Sequence, residues 1–219
     1  MRAQSHLHQS MSIVDVPSLP EGRLKQIFCR YLSDRGIRFE SIPEKSSKTP
    51  DFWLDHGDGR ILSELKAPEL HLDRAVGMYT WKTSLHKLQD HCRTAVKQFS
   101  SEDPARKHPR LLAFMSCHFQ LNLHSFRDAI QGGVLKPDGT WLADLRATDA
   151  YRRWLRSIDE IDAFLWLQVN AEREEPYQAG YFIRQGSPHF EAVDGLFAAL
   201  RLRPLSANDQ VIIMASGEN

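Results

Sequence analysis

The hydrophobic positions of the chain follow two different periods, and this alternation predicts a mixture of helices and strands. Apolar residues recur every three or four positions over 24–32, which predicts a helix. Ser18 is followed three residues later by Glu21, a spacing typical of a capping box, so we expect Ser18 to cap this helix. Residues 37–42 then favour a strand.

A β-hairpin is predicted after this strand. Two short apolar runs, 51–55 and 60–66, flank the sequence His56-Gly57-Asp58-Gly59, whose glycines favour a tight turn. Successive side chains of a strand point to opposite faces, so one face of the hairpin is apolar and is expected to lie on the core. The other face carries three charged residues, Asp51, Glu64 and Lys66.

The sequence leaves two registers open for this hairpin. In one register Asp55 pairs with Arg60. Asp51 then lies directly opposite Glu64, whereas a two-residue shift sets it opposite Lys66. Directly opposed residues have Cβ atoms roughly 5 Å apart, so two carboxylates placed in this way repel each other unless a cation lies between them.

The rest of the chain continues the mixture of elements. An apolar stripe predicts a long amphipathic helix over 80–99. Turn-forming residues predict a loop over 132–141. The other predicted elements are a strand at 110–116, helices at 124–131 and 150–157, strands at 162–169 and 180–184, a helix at 189–200 and a strand at 210–214. We predict a flexible tail at 1–17, followed by a single α/β domain at 18–219 whose later strands extend the same central mixed β-sheet, flanked by helices.

Composition narrows the classes of function. Hydrophobic residues make up 42% and charged residues 26% of the chain, which is typical of a globular protein. No apolar run approaches the roughly 20 residues of a membrane helix, and three cysteines are too few for a disulfide scaffold, so we expect a cytoplasmic protein with free thiols. Because the net charge is zero at pH 7, any contact with nucleic acid must come from a local basic patch.

The charged face of the hairpin suggests metal chemistry. Carboxylate oxygens are the ligands that Mg²⁺ prefers, and a bound Mg²⁺ keeps positions open for a phosphate oxygen and a water. Lys66 points to the same side as Glu64, where an ammonium can hold the attacking water or offset charge on a phosphorane. The alternative is an exposed ribbon on which Asp51, Glu64 and Lys66 are solvated and form at most a weak salt bridge.

At these residues the chain resembles the PD-(D/E)xK nuclease superfamily. Pro50-Asp51, a gap of twelve residues and Glu64-Leu65-Lys66 match its signature, and the predicted flanking elements over 18–118 match its order. The resemblance implies a restriction-endonuclease-like fold and a Mg²⁺ or Mn²⁺ cofactor. It also implies Asp51 and Glu64 as metal ligands, the Leu65 carbonyl as a third ligand and Lys66 as the catalytic lysine.

The resemblance also suggests candidate site residues outside the hairpin. Several nucleases of this fold use an acidic residue of the first helix as an extra metal ligand, and Glu21 is the candidate here, although helix capping explains it equally well. Glu40 is a weaker candidate. Related nucleases also place a polar residue of the next helix toward the site, a position that Gln98 would fill.

Basic residues outside the hairpin are candidates for contact with a phosphate backbone. One side of the long predicted helix carries Lys82, His86, Arg93 and Lys97, and the following loop carries Arg106 and Lys107. The solvated face of an amphipathic helix and an ordinary surface loop explain the same residues without any ligand.

The prediction is a metal-dependent nuclease, and the resemblance implies DNA as the substrate. The alternative is a non-catalytic member of the same fold that binds nucleic acid or protein, which the neutral net charge favours. Endo- or exonucleolytic cleavage, and cleavage of both strands by a homodimer, are left open.

Overall fold

The computed structural model describes residues 19–44, 48–68, 81–118, 121–135 and 140–202. In chain order the elements are α1 (Glu21–Ser33), β1 (Arg38–Ser41), β2 (Phe52–His56), β3 (Gly59–Lys66), α2 (Trp81–Glu102), β4 (Arg110–Ser116), α3 (Leu123–Gln131), β5 (Gly133–Leu135), β6 (Trp141–Asp144), α4 (Asp149–Ile158), β7 (Ala163–Asn170), β8 (Glu175–Ile183) and α5 (Phe190–Ala199).

Six strands form one mixed sheet in the order β1-β2-β3-β4-β7-β8. The strands β1, β2 and β3 are antiparallel, β3, β4 and β7 are parallel, and β8 returns antiparallel to β7. Of the later strands, β7 and β8 lie in the same sheet as the hairpin. An α/β fold with a central mixed sheet flanked by helices is confirmed.

Helices cover both faces of this sheet. On one face, α1 and α5 pack on a core that includes Phe52, Leu54 and Leu65, all at most 4% exposed. On the other face, α2, α3 and α4 pack on a second core, which contains Leu62 and Phe114. Both faces of the predicted hairpin are consequently covered at the end that carries Glu64 and Lys66, whereas Asp55 and Arg60 near the turn are 39% and 41% exposed.

Two local predictions are wrong. The helix α1 begins at Glu21 with Pro20 as its N-cap and has no side-chain cap, so Glu21 occupies the first turn and the capping box does not form. Within residues 132–141, predicted as a loop, Gly133–Leu135 form β5 and Trp141 begins β6, and these two strands pair antiparallel in a separate two-stranded sheet.

Some predictions fall outside the described residues. These are the tail at 1–17, the capping residue Ser18 itself and the strand at 210–214. In the part of the chain that the structure describes, no helix is both long enough and apolar enough to cross a membrane.

Candidate active site

The hairpin has the first of the two registers considered above. Phe52 pairs with Ser63 and Asp55 pairs with Arg60, so the same register extended by one residue sets Asp51 opposite Glu64. The shifted register is wrong because His56 pairs with Gly59, so the two turn residues are Gly57 and Asp58 instead of Asp58 and Gly59. Gly57, the first of these two, has φ +56°, the positive value that this turn position needs and that glycine adopts without strain.

Asp51 is the bend residue immediately before β2, and protein donors hold both oxygens of its carboxylate. The backbone N–H of Leu65 donates to Oδ2 at 2.8 Å. The ammonium of Lys25, on α1, lies 2.7 Å from Oδ1. The side chain of Asp51 is 13% exposed, so this carboxylate is oriented between β3 and α1 and is largely screened from water.

Glu64 is the most buried charged group of the site. Its side chain is 3% exposed, and its Oε1 accepts a hydrogen bond from Lys66. Its other oxygen, Oε2, is buried and finds no hydrogen-bond partner among the described residues. Burial, to which the charge of Asp51 adds, raises the pKa of Glu64 to about 7, although Lys66 acts in the opposite direction. An orphaned buried carboxylate oxygen is costly, and it is unusual in a purely structural ion pair.

Lys66 is held by two acceptors from different elements. Its ammonium donates to Glu64 and, at 2.8 Å, to Oε1 of Gln98 on α2. Gln98 in turn donates from Nε2 to the carbonyl of Thr49 at 2.9 Å. Gln98 therefore lies beside the site, as the resemblance implied, and it connects Lys66 to the residues that lead into Asp51.

Leu65 contributes its backbone to the site, while its side chain is fully buried in the core under α1 and α5. The N–H and the carbonyl of one strand residue point toward the same neighbouring strand. Because the Leu65 N–H reaches Asp51, the carbonyl faces the same side. The pairing of β2 with β3 ends at Phe52 and Ser63, and Pro50, which precedes Asp51, has no N–H with which to bond that carbonyl.

The exposed-ribbon alternative is wrong for these three side chains. Asp51, Glu64 and Lys66 are 13%, 3% and 15% exposed. The sequence could not decide this point, because the burial depends on α1 and α2 covering the two faces.

The candidate extra ligands are not brought into the same cluster. Glu21 is 62% exposed, and its Oε1 lies 3.3 Å from the Lys25 ammonium, which separates it from Asp51. Glu40, on β1, pairs with Arg60 of β3, two strands away in the sheet. Over the described ranges, no three His, Cys, Asp or Glu side chains form a group that could hold a metal ion. The metal role of Glu21 stays a prediction.

The candidate nucleic-acid residues have different surroundings. Arg106 donates to the Asp159 carbonyl at 2.8 Å and to Asp162 at 3.2 Å, so its guanidinium stabilises the fold. Lys107 is exposed and contributes its backbone N–H to Asp103. Arg93 pairs with Asp90 on the helix surface. Lys97 is also exposed, whereas the side chain of Lys82 is not among those that the structure describes.

Two residues of the site were not identified from the sequence. Lys25 follows Glu21 by four residues on α1, a spacing that predicts a surface ion pair and gives no sign of Asp51. The bond to Asp51 and its charge outweigh the effect of burial and raise the pKa of Lys25. His91 lies on α2 two turns before Gln98. Burial, with a contribution from the charge of Lys66, lowers the pKa of His91 to about 4, so its imidazole is neutral at pH 7.

Comparisons of the chain with protein-family models, with curated proteins and with solved structures found no match.

Proposed function

We propose that this protein is a Mg²⁺- or Mn²⁺-dependent nuclease of the restriction-endonuclease-like fold. The observation that carries the proposal is the buried carboxylate of Glu64, whose Oε2 has no partner among the described residues although Lys66 holds the other oxygen. A buried carboxylate needs a compensating donor or cation. A divalent ion shared with Asp51 supplies that compensation.

The donor set fits a hard divalent cation. Two carboxylates and a backbone carbonyl offer oxygen ligands only, and Mg²⁺ is usually held by one or two carboxylates while it keeps several waters. The Asp51 and Glu64 carboxylates are close enough for the charge of one to raise the pKa of the other. The Leu65 carbonyl faces the Asp51 side, where Pro50 supplies no competing N–H. When bound, the ion would act as a Lewis acid on a phosphate oxygen and lower the pKa of a water.

The other roles belong to side chains of this chain. Leu65 N–H fixes the orientation of Asp51, and Gln98 fixes the position of Lys66 through the Thr49 carbonyl. Lys66 is 15% exposed, so its ammonium can reach a phosphodiester and remain oriented by two acceptors. There it would hold the attacking water or stabilise the charge that develops on phosphorus. DNA is proposed as the substrate from the resemblance of the motif at 50–66.

A cleavage assay tests this proposal. We expect the purified protein to nick or degrade plasmid DNA with Mg²⁺ or Mn²⁺ and to leave it intact in EDTA. Lys66→Ala should abolish cleavage, and because it also removes the hydrogen bond to the buried Glu64 carboxylate, the variant must be shown to retain a cooperative unfolding transition. Arg173→Ala is the control, since this basic side chain is 76% exposed and lies outside both the cluster and the candidate nucleic-acid residues. It should retain cleavage at saturating DNA.

Two results would contradict the nuclease. A folded Lys66→Ala variant with undiminished cleavage would remove Lys66 from the mechanism. Absence of both cleavage and Mn²⁺ binding, measured by calorimetry, would favour the non-catalytic binding module instead.

A further inference from the structure

The two carboxylates of the site are each paired with a lysine. The Lys25 ammonium lies 2.7 Å from Oδ1 of Asp51, and the Lys66 ammonium donates a hydrogen bond to Oε1 of Glu64. When both carboxylates are ionised, the two ammonium groups give these four groups a net charge of zero. A divalent cation that enters therefore gains no net charge attraction from these four groups, and it meets Lys25 at one of the oxygens it would use.

We propose that Lys25 makes metal binding depend on phosphate, because its ammonium occupies Asp51 until a phosphodiester accompanies the ion. This inference rests on the proposed function. The ion adds two positive charges to a neutral set of side chains in a partly buried site, which is unfavourable unless negative charge enters with it. Phosphate oxygens supply that charge, so ion and substrate bind with positive coupling.

Glu21 offers the Lys25 ammonium a second carboxylate with which to form an ion pair. The Glu21 carboxylate lies 3.3 Å from the same ammonium and is 62% exposed, so it remains available outside the buried cluster. A small rotation of the Lys25 side chain releases Asp51 and keeps the ammonium paired. In this scheme Glu21 receives Lys25 and does not bind the ion, which accounts for its position on the far side of Lys25. Lys25 is a positioning residue, since it acts through Asp51.

The test is a Mn²⁺ titration by calorimetry on the full-length protein, with Lys25→Met compared with the wild type. Without DNA, we expect Lys25→Met to bind Mn²⁺ at least tenfold more tightly, the order expected when a unit positive charge roughly 4–6 Å from a divalent ion is removed in a water-like dielectric. A merely structural salt bridge predicts unchanged or weaker binding. Lys25→Arg is the control, because it keeps the charge and should resemble the wild type. Lys25→Gln replaces Lys25→Met if the latter does not fold.

The same titration with a phosphorothioate DNA duplex that resists cleavage measures the coupling. The duplex should tighten Mn²⁺ binding of the wild type by about tenfold more than that of Lys25→Met. Equal affinities of wild type and Lys25→Met without DNA, or weaker binding by the variant, would overturn the role of Lys25 and leave the nuclease standing. If neither protein binds Mn²⁺ under either condition, the proposed function fails and this inference fails with it.

A double-mutant cycle separates the two roles of Glu21. If Glu21 acts through Lys25, Glu21→Gln weakens Mn²⁺ binding in the wild type and has no effect in Lys25→Met. If Glu21→Gln weakens binding equally in both backgrounds, Glu21 is a ligand of the ion and its role as acceptor of Lys25 is wrong.

Discussion

Two buried clusters of charge lie at opposite ends of the parallel strands, and they are completed in different ways. At the carboxyl end of β3, Glu64 has one oxygen bonded to Lys66 and one without a partner in the described residues. At the amino end of β7, Asp162 is fully buried and every oxygen of its carboxylate has a donor. These donors are Arg106, Arg184 and Ser187 on Oδ1, and the Arg110 backbone N–H on Oδ2.

The difference separates a cluster whose hydrogen bonds are complete from one that leaves a carboxylate oxygen without a partner in the described residues. Arginine presents several donors in a fixed plane and suits a closed network, whereas lysine is a single mobile charge. The Asp162 cluster uses arginines and joins β4, β7 and the end of β8. The Glu64 cluster uses lysines and leaves an oxygen available. In open α/β sheets, ligands bind outside the carboxyl ends of the strands, which is the end that carries Glu64.

The largest effect expected from this comparison is on stability. Asp162→Ala leaves the buried guanidinium of Arg184 without its carboxylate, and this should lower the free energy of unfolding by about 3–5 kcal/mol. Urea denaturation at pH 7 measures the change. Asp90→Ala, which removes an exposed aspartate with one arginine partner, is the control and should have little effect. A loss as small as that of the control would mean that the closed cluster does not stabilise the fold.

A smaller effect is expected from pH at the other cluster. The pKa of Glu64 is raised to about 7 in the folded protein, so folding favours its protonated form. The resulting stability is present below the ordinary glutamate pKa of about 4.5 and is lost as the pH rises through about 7. In EDTA, the wild type should therefore lose about 3 kcal/mol of unfolding free energy between pH 5 and pH 8 relative to Glu64→Gln. Parallel pH curves for the two proteins would contradict this assignment.

The smallest expected effects distinguish Arg106 from Lys97, two of the candidate nucleic-acid residues. Arg106→Ala should cost about 1–2 kcal/mol of stability, because its guanidinium bonds Asp162 and the Asp159 carbonyl, and it should leave DNA affinity unchanged. Lys97→Ala should leave stability unchanged within ~0.5 kcal/mol and reduce the salt dependence of DNA binding by about one charge. Urea denaturation and fluorescence anisotropy at several salt concentrations measure the two quantities. The reverse pattern would place Arg106 at the nucleic acid.

The hairpin and the main elements could be predicted from the sequence because their signals are local. Alternating apolar residues, two glycines at the turn and an apolar helical stripe give β2, β3 and α2 with nearly the observed bounds. The sequence left two registers of the hairpin open, and the pairing of His56 with Gly59 in the structure decides between them. A position of Asp51 opposite Glu64 was therefore one of the two arrangements that the sequence allowed.

The partners of Lys25 and Arg106 could not be predicted because they are distant in the chain. Lys25 reaches Asp51 across 26 residues, and Arg106 reaches Asp162 across 56 residues. Each basic residue also had an adequate local explanation, Glu21 for Lys25 and a solvated loop for Arg106. Local charge patterns alone therefore do not distinguish a functional lysine from a structural arginine.

The backbone role of Leu65 has a consequence for how freely this stretch can vary. Its N–H orients Asp51, while its side chain only fills space in the core beneath α1 and α5. Any apolar residue of similar volume would keep the amide in place. The side-chain hydrogen bonds of the cluster therefore restrict the residue type at Glu64 and Lys66, whereas the residue between them can be replaced by any apolar residue that packs equally well.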